Sequence, residues 1–367
     1  MNIKKDDLVR VSELLSLIPQ RSGVPPSDYI RIEKGKKSLI CSLSSDVVGK
    51  FSLDVDGEWP VESPYFVDRS LFFPFVLAAK DMKLKKDFMF AKTKGDSLLM
   101  KHGRRRVVFA KMPPVTGYGK IPTDATGFEL TLTDGQKEMV RCAESCATTD
   151  PITPHLNCVY VTDKGLVLAS NQIVIFSAKT KKFQHSVPMP LYLLKLLDVK
   201  GATKLLFSEK YVVLKLDCGD ILQSVPQKAI KGFPESKIVS RINESALYKK
   251  LFAVNAEKLS MVLERFSSYM FSVRRQDKVV TISMTSGDQT IRVSAKVGQT
   301  VMSETLKAVE APRQDVRAEW ALDLVTPVIK FLGTQKKVLT VSSESKKTPF
   351  YVDGGDVKLL LARKVSA

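Results

Sequence analysis

Apolar positions recur along this chain first at helical and then at strand spacing, and the whole succession runs three times. In the first third, Leu8, Val11, Leu14, Leu15 and Ile18 of DLVRVSELLSLIPQ form one helical stripe, and Pro19 marks its stop. YIRIEKGKKSLICSL and VVGKFSLDV follow as strands that turn at Lys34-Gly35. A second helix, DRSLFFPFVLAAKD, starts at Asp68 as its cap and offers Leu71, Phe72, Phe75, Val76 and Ala79 to a core. Pro74 falls in its first turns, where a kink is expected. DFMFAKTKGDSLLMKHGRRRVVFAKMP then reads as three short strands separated by glycine-bearing turns.

The middle third repeats this order. FELTLT is a strand, DGQKEMVRCAESCA a helix, CVYVTDKGLVLASNQIVIFSA strands that turn at Lys164-Gly165, PLYLLKLLDV a second helix, and ATKLLFSEKYVVLKLDCGDILQSVPQ the closing strands. The last third runs from KLFAVNAEKLSMVLERFSS through YMFSVRRQDKVVTISM and TIRVSAKV to the helix LDLVTPVIKFLG, with Pro327 as a misfit inside it. KVLTVSSES, PFYVDG and VKLLLARKV complete it. Each third closes on a polar, glycine-centred turn between apolar runs, at Gly103, in DCGDILQS and at Gly355, which is a hairpin signal. A period of about 120 residues is too long for a solenoid, so each unit is a whole α+β domain with two helices on antiparallel sheets. The expected domains are 1–123, 124–243 and 244–367, with PPVTGYGKIPTDATG and KGFPESKIVSRINES as linkers rich in turn formers.

Composition adds little to this until charge is considered. A 44% hydrophobic and 26% charged chain of 367 residues is that of a folded soluble protein with more than one core. It has no run of about 18 apolar residues, and MNIKKDDLVRV lacks a signal peptide's apolar segment, so a cytoplasmic protein is expected. Cys41, Cys142, Cys146, Cys158 and Cys218 are odd in number and scattered, which suits reduced, buried thiols. Cys142 and Cys146 share a helix face without a second ligand pair, so neither a metal nor another cofactor is expected.

The formal charge of +18 is spread through all three thirds, and a polyanion, nucleic acid above all, is the natural partner for such a surface. Cations recur on helix stripes facing away from the core: Arg10, Arg69, Lys80, Lys195 and Lys330, with Lys137 and Arg141 four apart on the middle helix, and Lys258 and Arg265 flanking Met261. Point charges without a base-reading motif suit phosphates, which position a protein without specifying sequence. HGRRRVVF is a further basic cluster, set on a hairpin turn with no recognition helix attached. His102, His155 and His185 have no Cys, Asp or Glu at metal-ligand or triad-like spacing, and phosphate-loop, dinucleotide and nucleophile-elbow patterns are absent. No enzymatic activity is expected.

The threefold order, together with FVDRSLFFPFVLAAK and GDSLLMKHGRRRVVFAKMP, HSVPMPLYLLKLLD and IKGFPES, and AEWALDLVTPVIKFLG with the terminal strand, resembles the bacterial replicative sliding clamp, the beta subunit of DNA polymerase III. The likeness spans the chain as a pattern, as in a divergent or phage-encoded member. It implies a homodimer ring of six similar domains, lined by twelve helices, that encircles duplex DNA as a processivity factor. On that mapping Arg10, Arg69, Lys80, Lys137, Arg141, Lys195, Lys258, Arg265 and Lys330 face the lumen, and Arg21 is a further DNA contact.

The resemblance also implies an apolar pocket for short peptides of a replicative polymerase or a clamp loader. Its walls match Leu168, Ser170, Gln172, Ile173, Ile175 and Val239, with Leu360, Leu361, Ala362 and Arg363 of the last strand. ASNQIVIF replaces the family's Gly-His-Arg stretch and LLARKV its Met-Pro-Met ending, so a different peptide is implied. Ile173, Ile175 and Leu360 also read as plain core strand residues. Two other readings stay open: a monomeric clamp-like protein that binds DNA nonspecifically, and a nucleic-acid-modifying enzyme built on repeats.

Overall fold

The computed structural model describes residues 1–20, 24–45, 47–84, 86–121, 128–148, 152–171, 173–194, 202–208, 211–224, 232–274, 278–297, 299–312, 314–345 and 348–362. The chain divides into two compact units, one of residues 1–131 with 198–225 and the other of 132–197 with 226–367. Among the described residues each unit holds one eight-stranded and one four-stranded antiparallel sheet.

In the first unit, the large sheet runs in the order β5 (Tyr65–Asp68), β2 (Tyr29–Lys34), β3 (Ser38–Ser44), β4 (Val47–Asp54), β16 (Gly219–Ser224), β15 (Tyr211–Leu216), β14 (Ala202–Phe207), β9 (Phe128–Leu130). Strand alternation sorts its side chains onto two faces. One is apolar, with Ile32, Cys41, Phe51, Ile221, Leu214 and Leu205 buried on it. The other is mixed, with Lys50, Asp220, Lys215 and Lys204 around a short apolar row of Val48, Leu222 and Val213. The Lys5–Ser16 helix lies against β4, and Ile18 beyond its end sits where a Cβ on Gly49 would come within 2.9 Å. The small sheet is β1 (Asn2–Ile3), β6 (Phe88–Lys92), β7 (Leu98–His102), β8 (Arg105–Phe109).

The Arg69–Leu77 helix is capped by Asp68, whose carboxylate accepts the Ser70 amide at 2.7 Å. Two expectations for this helix are corrected. Phe72, Phe75, Val76 and Ala79 are buried, but Leu71, a 100° step from Phe72, is 52% exposed. Arg69 does not face outward: it is 8% exposed, donates to the carbonyls of Ser27 (2.9 Å) and Ile18 (3.1 Å), and lies over Phe73. From the first position of its helix the guanidinium thus ties the end of the Lys5–Ser16 helix to the short Pro25–Asp28 helix.

In the second unit the large sheet is β13 (Val187–Pro190), β10 (Cys158–Val161), β11 (Leu166–Ser170), β12 (Val174–Lys179), β24 (Val357–Leu361), β23 (Phe350–Asp353), β22 (Val338–Ser342), β17 (Lys250–Asn255). Again one face is apolar, carrying Val167, Phe176, Leu359, Leu361, Val352 and Val341. The small sheet is β20 (Thr300–Lys307), β19 (Thr290–Val297), β18 (Val279–Met284), β21 (Val316–Ala321). Sequence pattern missed β20, because its exposed positions carry no apolar alternation.

KGFPESKIVSRINES was expected as a linker, and here the structure differs. Glu235–Ser245 is a helix begun at Pro234, burying Ile238 and Ile242 one turn apart. The misfit at Pro327 also finds a setting. The Leu322–Thr334 helix packs on the Ala256–Tyr269 helix, with Gly333 against Glu257 and Ser260, and on the Asp134–Glu144 helix. Hydroxyl and thiol donors beyond the end of the last, Ser145 (3.1 Å) and Cys146 (3.8 Å), reach the carbonyl of Leu324, in the turn that Pro327 disturbs.

Block order exposes a rule. Four-stranded blocks β5-β2-β3-β4, β13-β10-β11-β12 and β21-β18-β19-β20 are counterparts, as are β1-β6-β7-β8, β9-β14-β15-β16 and β17-β22-β23-β24. Twice a block of the first kind joins one of the second, through β4 with β16 and through β12 with β24. The remaining two blocks end at β8 and β20, whose outer edges have no strand partner among the described residues.

Candidate nucleic-acid and peptide sites

Most helix cations carry their own counter-charge. In the first unit Arg10 pairs with Asp217 on the β15–β16 turn, and Lys80 with Glu13 at 2.7 Å. In the second, Lys137 lies 3.6 Å from Asp134, Arg265 donates through Nε and Nη2 to the two carboxylate oxygens of Glu304 on β20, and Lys330 meets Glu264 of the neighbouring helix. The pairing favours the charged forms: the hydrogen bond to Asp217 raises the Arg10 pKa and lowers that of Asp217, and Arg265 and Glu304 respond likewise. These contacts are solvated and exchangeable, so a phosphate can compete for them. Lys258 differs, being exposed with no ion-pair partner among the described residues. Arg141 is half-buried, and Arg21 and Lys195 lie outside the described residues.

The expected peptide-pocket residues sort by strand alternation. Leu168, Ser170, Ile175 and Leu360 share the mixed face of the second unit's large sheet, Ser170 opposite Ile175 and Ile175 opposite Leu360. Ile175 and Leu360 pack with Tyr351, Tyr248 and Ile242 of the Glu235–Ser245 helix. At the other end of that helix Tyr160 stacks on Phe233 at 4.7 Å, and a cleft of about 710 Å³ opens between Leu166, Lys164, Phe233 and Val239. Val239 is thus on the rim of a cleft, while Leu168 is fully buried in the sheet. Leu361 is corrected: it points to the opposite, apolar face and belongs to the core. Ile173 is 48% exposed at the β11–β12 turn, where its carbonyl accepts the Ala362 amide at 2.7 Å. Gln172 and Arg363 lie outside the described residues.

Burial pushes the thiols of Cys41, Cys142, Cys146 and Cys158 up to about 12, and Cys218 is half-buried. Among the described residues no three His, Cys, Asp or Glu side chains cluster as metal ligands, and no helix is long and apolar enough to cross a membrane.

No protein-family model matches the chain, and no curated protein matches it in sequence. Solved structures do match. The DNA polymerase III beta subunit of Thermotoga maritima superposes with a TM-score of 0.75 at 15% identity, covering 100% of this chain and 99% of that one. The DNA polymerase sliding clamp of Bacillus subtilis gives 0.73 at 15% identity, with the same coverage. A DnaN sliding clamp of Bartonella birtlesii, solved bound to griselimycin, gives 0.73 at 14% identity over the full length of both chains. The chain has the fold of the bacterial DNA polymerase III beta sliding clamps, from its first strand to its last.

Proposed function

We propose that this chain is the subunit of a DNA sliding clamp, a non-enzymatic processivity factor whose copies join into a ring around duplex DNA in the cytoplasm and tether a polymerase. The observation that carries the reading is the pair of unmatched edges. Within the chain, counterparts of β20 pair with counterparts of β8 at two junctions. A β20 edge of one copy meeting the β8 edge of the next repeats that junction, and closure pairs these two edges, which otherwise invite indiscriminate strand addition. Val108 on β8 (51% exposed) and Val301 on β20 (61%) supply apolar surface for it. With three repeats to a chain, 1–123, 124–243 and 244–367, two copies complete the six-domain closure.

A ring holds DNA topologically, so its inner cations need only a weak, exchangeable attraction to phosphates. Lys258 and the ion-paired cations fit that demand better than a fixed phosphate site would. The cleft beside Val239, with the apolar row Ile175–Leu360–Tyr351 under the same helix, suits an extended segment with apolar side chains from a polymerase or clamp loader.

Light scattering at high salt and retention on circular DNA test the reading. A two-chain mass, with protein held on closed circular DNA and released when the circle is cut, is expected. A single-chain mass at every concentration, with equal binding to linear and circular DNA, overturns it.

A further inference from the structure

The β8 edge of the hairpin HGRRRVVF is the proposed subunit junction, but its cations take no part in the sites above, and they differ in kind from those of the helices. Lys101 on β7 stands directly opposite Arg106 on β8, and both are exposed. Like charges in cross-strand register destabilise a sheet unless something neutralises them. The same chain shows how it handles such a pair: Lys204 and Lys215, opposite one another on β14 and β15, each hold a carboxylate, Glu129 at 3.0 Å and Asp220 at 2.7 Å. Lys101 and Arg106 hold none, and neither do Arg104 at the hairpin tip or Lys83 and Lys86 in the loop beside it. Among the described residues none of these five forms an ion pair.

Their setting is rigid. The tip turns at Gly103 (φ +61°), where a Cβ would fall 2.5 Å from the Leu84 side chain, so the lysine-bearing loop lies directly against the hairpin. Lys5 Nζ holds the loop through the Met82 carbonyl at 2.7 Å. Arg105, between Arg104 and Arg106, turns to the other face and lies 4.7 Å over Phe75, with Nη1 3.7 Å from Met82 Sδ. The hairpin thus spends one arginine on anchoring and presents its neighbours to solvent.

We infer that the β7–β8 hairpin, with Lys83 and Lys86 beside it, forms a second nucleic-acid contact, apart from the helices, that takes the phosphate backbone of duplex DNA as the missing counter-charge of Lys83, Lys86, Lys101, Arg104 and Arg106. A phosphate backbone fits better than an acidic peptide: the cations are point charges grouped on a hairpin and the chain beside it, and Lys101 and Arg106 stand side by side on one face of the ladder. The contact reads no sequence.

Fluorescence anisotropy with a labelled linear duplex of about 20 base pairs, titrated with NaCl, tests this. Replacing Lys101, Arg104 and Arg106 together by Gln is expected to weaken binding at least about tenfold and to lower the slope of log K against log salt by about 2–3, since each lost phosphate contact removes about 0.9. Lys258→Gln, measured alongside, is expected to reduce retention on closed circular DNA and to leave the hairpin's share of the slope in place. An unchanged slope in the triple variant overturns the inference, as does a triple variant whose solution mass falls, which would assign the cations to subunit joining. Equal-charge poly-glutamate competing as well as duplex would assign the patch to acidic protein and also overturn it. The anisotropy readout needs no ring, so its failure is separable from failure of the clamp reading.

Discussion

Gly219 marks the tightest backbone approach in the first unit's large sheet. A Cβ there would lie 2.3 Å from the Lys50 carbonyl and 2.7 Å from the Phe51 Cα, both backbone atoms of β4 that have nowhere to move. Gly219→Ala is therefore expected to cost at least about 2 kcal/mol in urea unfolding, from overpacking and strain. His102 is buried against Phe88, with ring centroids 4.6 Å apart, and loss of solvent lowers its pKa from 6.5. The folded state prefers the neutral ring, so this contribution is complete above the unfolded pKa and declines as pH falls through it. Replacing His102 by Leu should flatten the fall in melting temperature between about pH 7 and 5; an unaltered profile would place the titration elsewhere.

At the scale of elements, paired helices carry ion pairs in corresponding places, Glu13 with Lys80 in one unit and Glu264 with Lys330 in the other. A carboxylate there competes with DNA for the same ammonium. Exposed pairs contribute little to folding, so the triple change Glu13→Gln, Glu264→Gln and Glu304→Gln is expected to leave the melting temperature nearly unchanged while tightening duplex binding at low salt. Weaker binding would mean that the carboxylates hold these cations in place for DNA. The Glu235–Ser245 helix was hidden from pattern reading by the turn formers around it, although Ile238 and Ile242 one turn apart were its signal. What makes it a helix is a sheet face with Ile175, Tyr351 and Leu360 left to cover.

For the whole molecule, the two unmatched edges make the sharpest demand. Val108→Lys with Val301→Lys places a charge on each without touching a buried residue, a device by which natural edge strands repel one another. The expected result is a folded protein of single-chain mass that still binds linear duplex but is no longer retained on closed circles. A double variant that keeps the two-chain mass would show that copies join elsewhere.

The threefold order of elements, the buried stripes of the Arg69–Leu77, Asp134–Glu144, Ala256–Tyr269 and Leu322–Thr334 helices, the one cap at Asp68 and the closing hairpins are legible in the sequence, because apolar spacing and turn glycines act over a few residues. Leu191–Leu194 is a helical turn, the rest of PLYLLKLLDV lies outside the described residues, and the first helix shows its stripe without a cap. Which sheet each hairpin joins is a long-range choice: β16 finds β4 across some 170 positions, and nothing local encodes that. The same limit governs the sites. Helical spacing put Arg10, Lys80, Lys137, Lys258, Arg265 and Lys330 away from the core, but the carboxylate partners of all except Lys258 come from other elements or other turns. Arg69 faced inward for want of any local sign that carbonyls of Ile18 and Ser27 needed it. Period and polarity along the chain thus determined the elements and their number; pairing across strands decided which charges are satisfied, which edges stay open and which faces are left to bind, because those are set by neighbours that only the folded chain brings together.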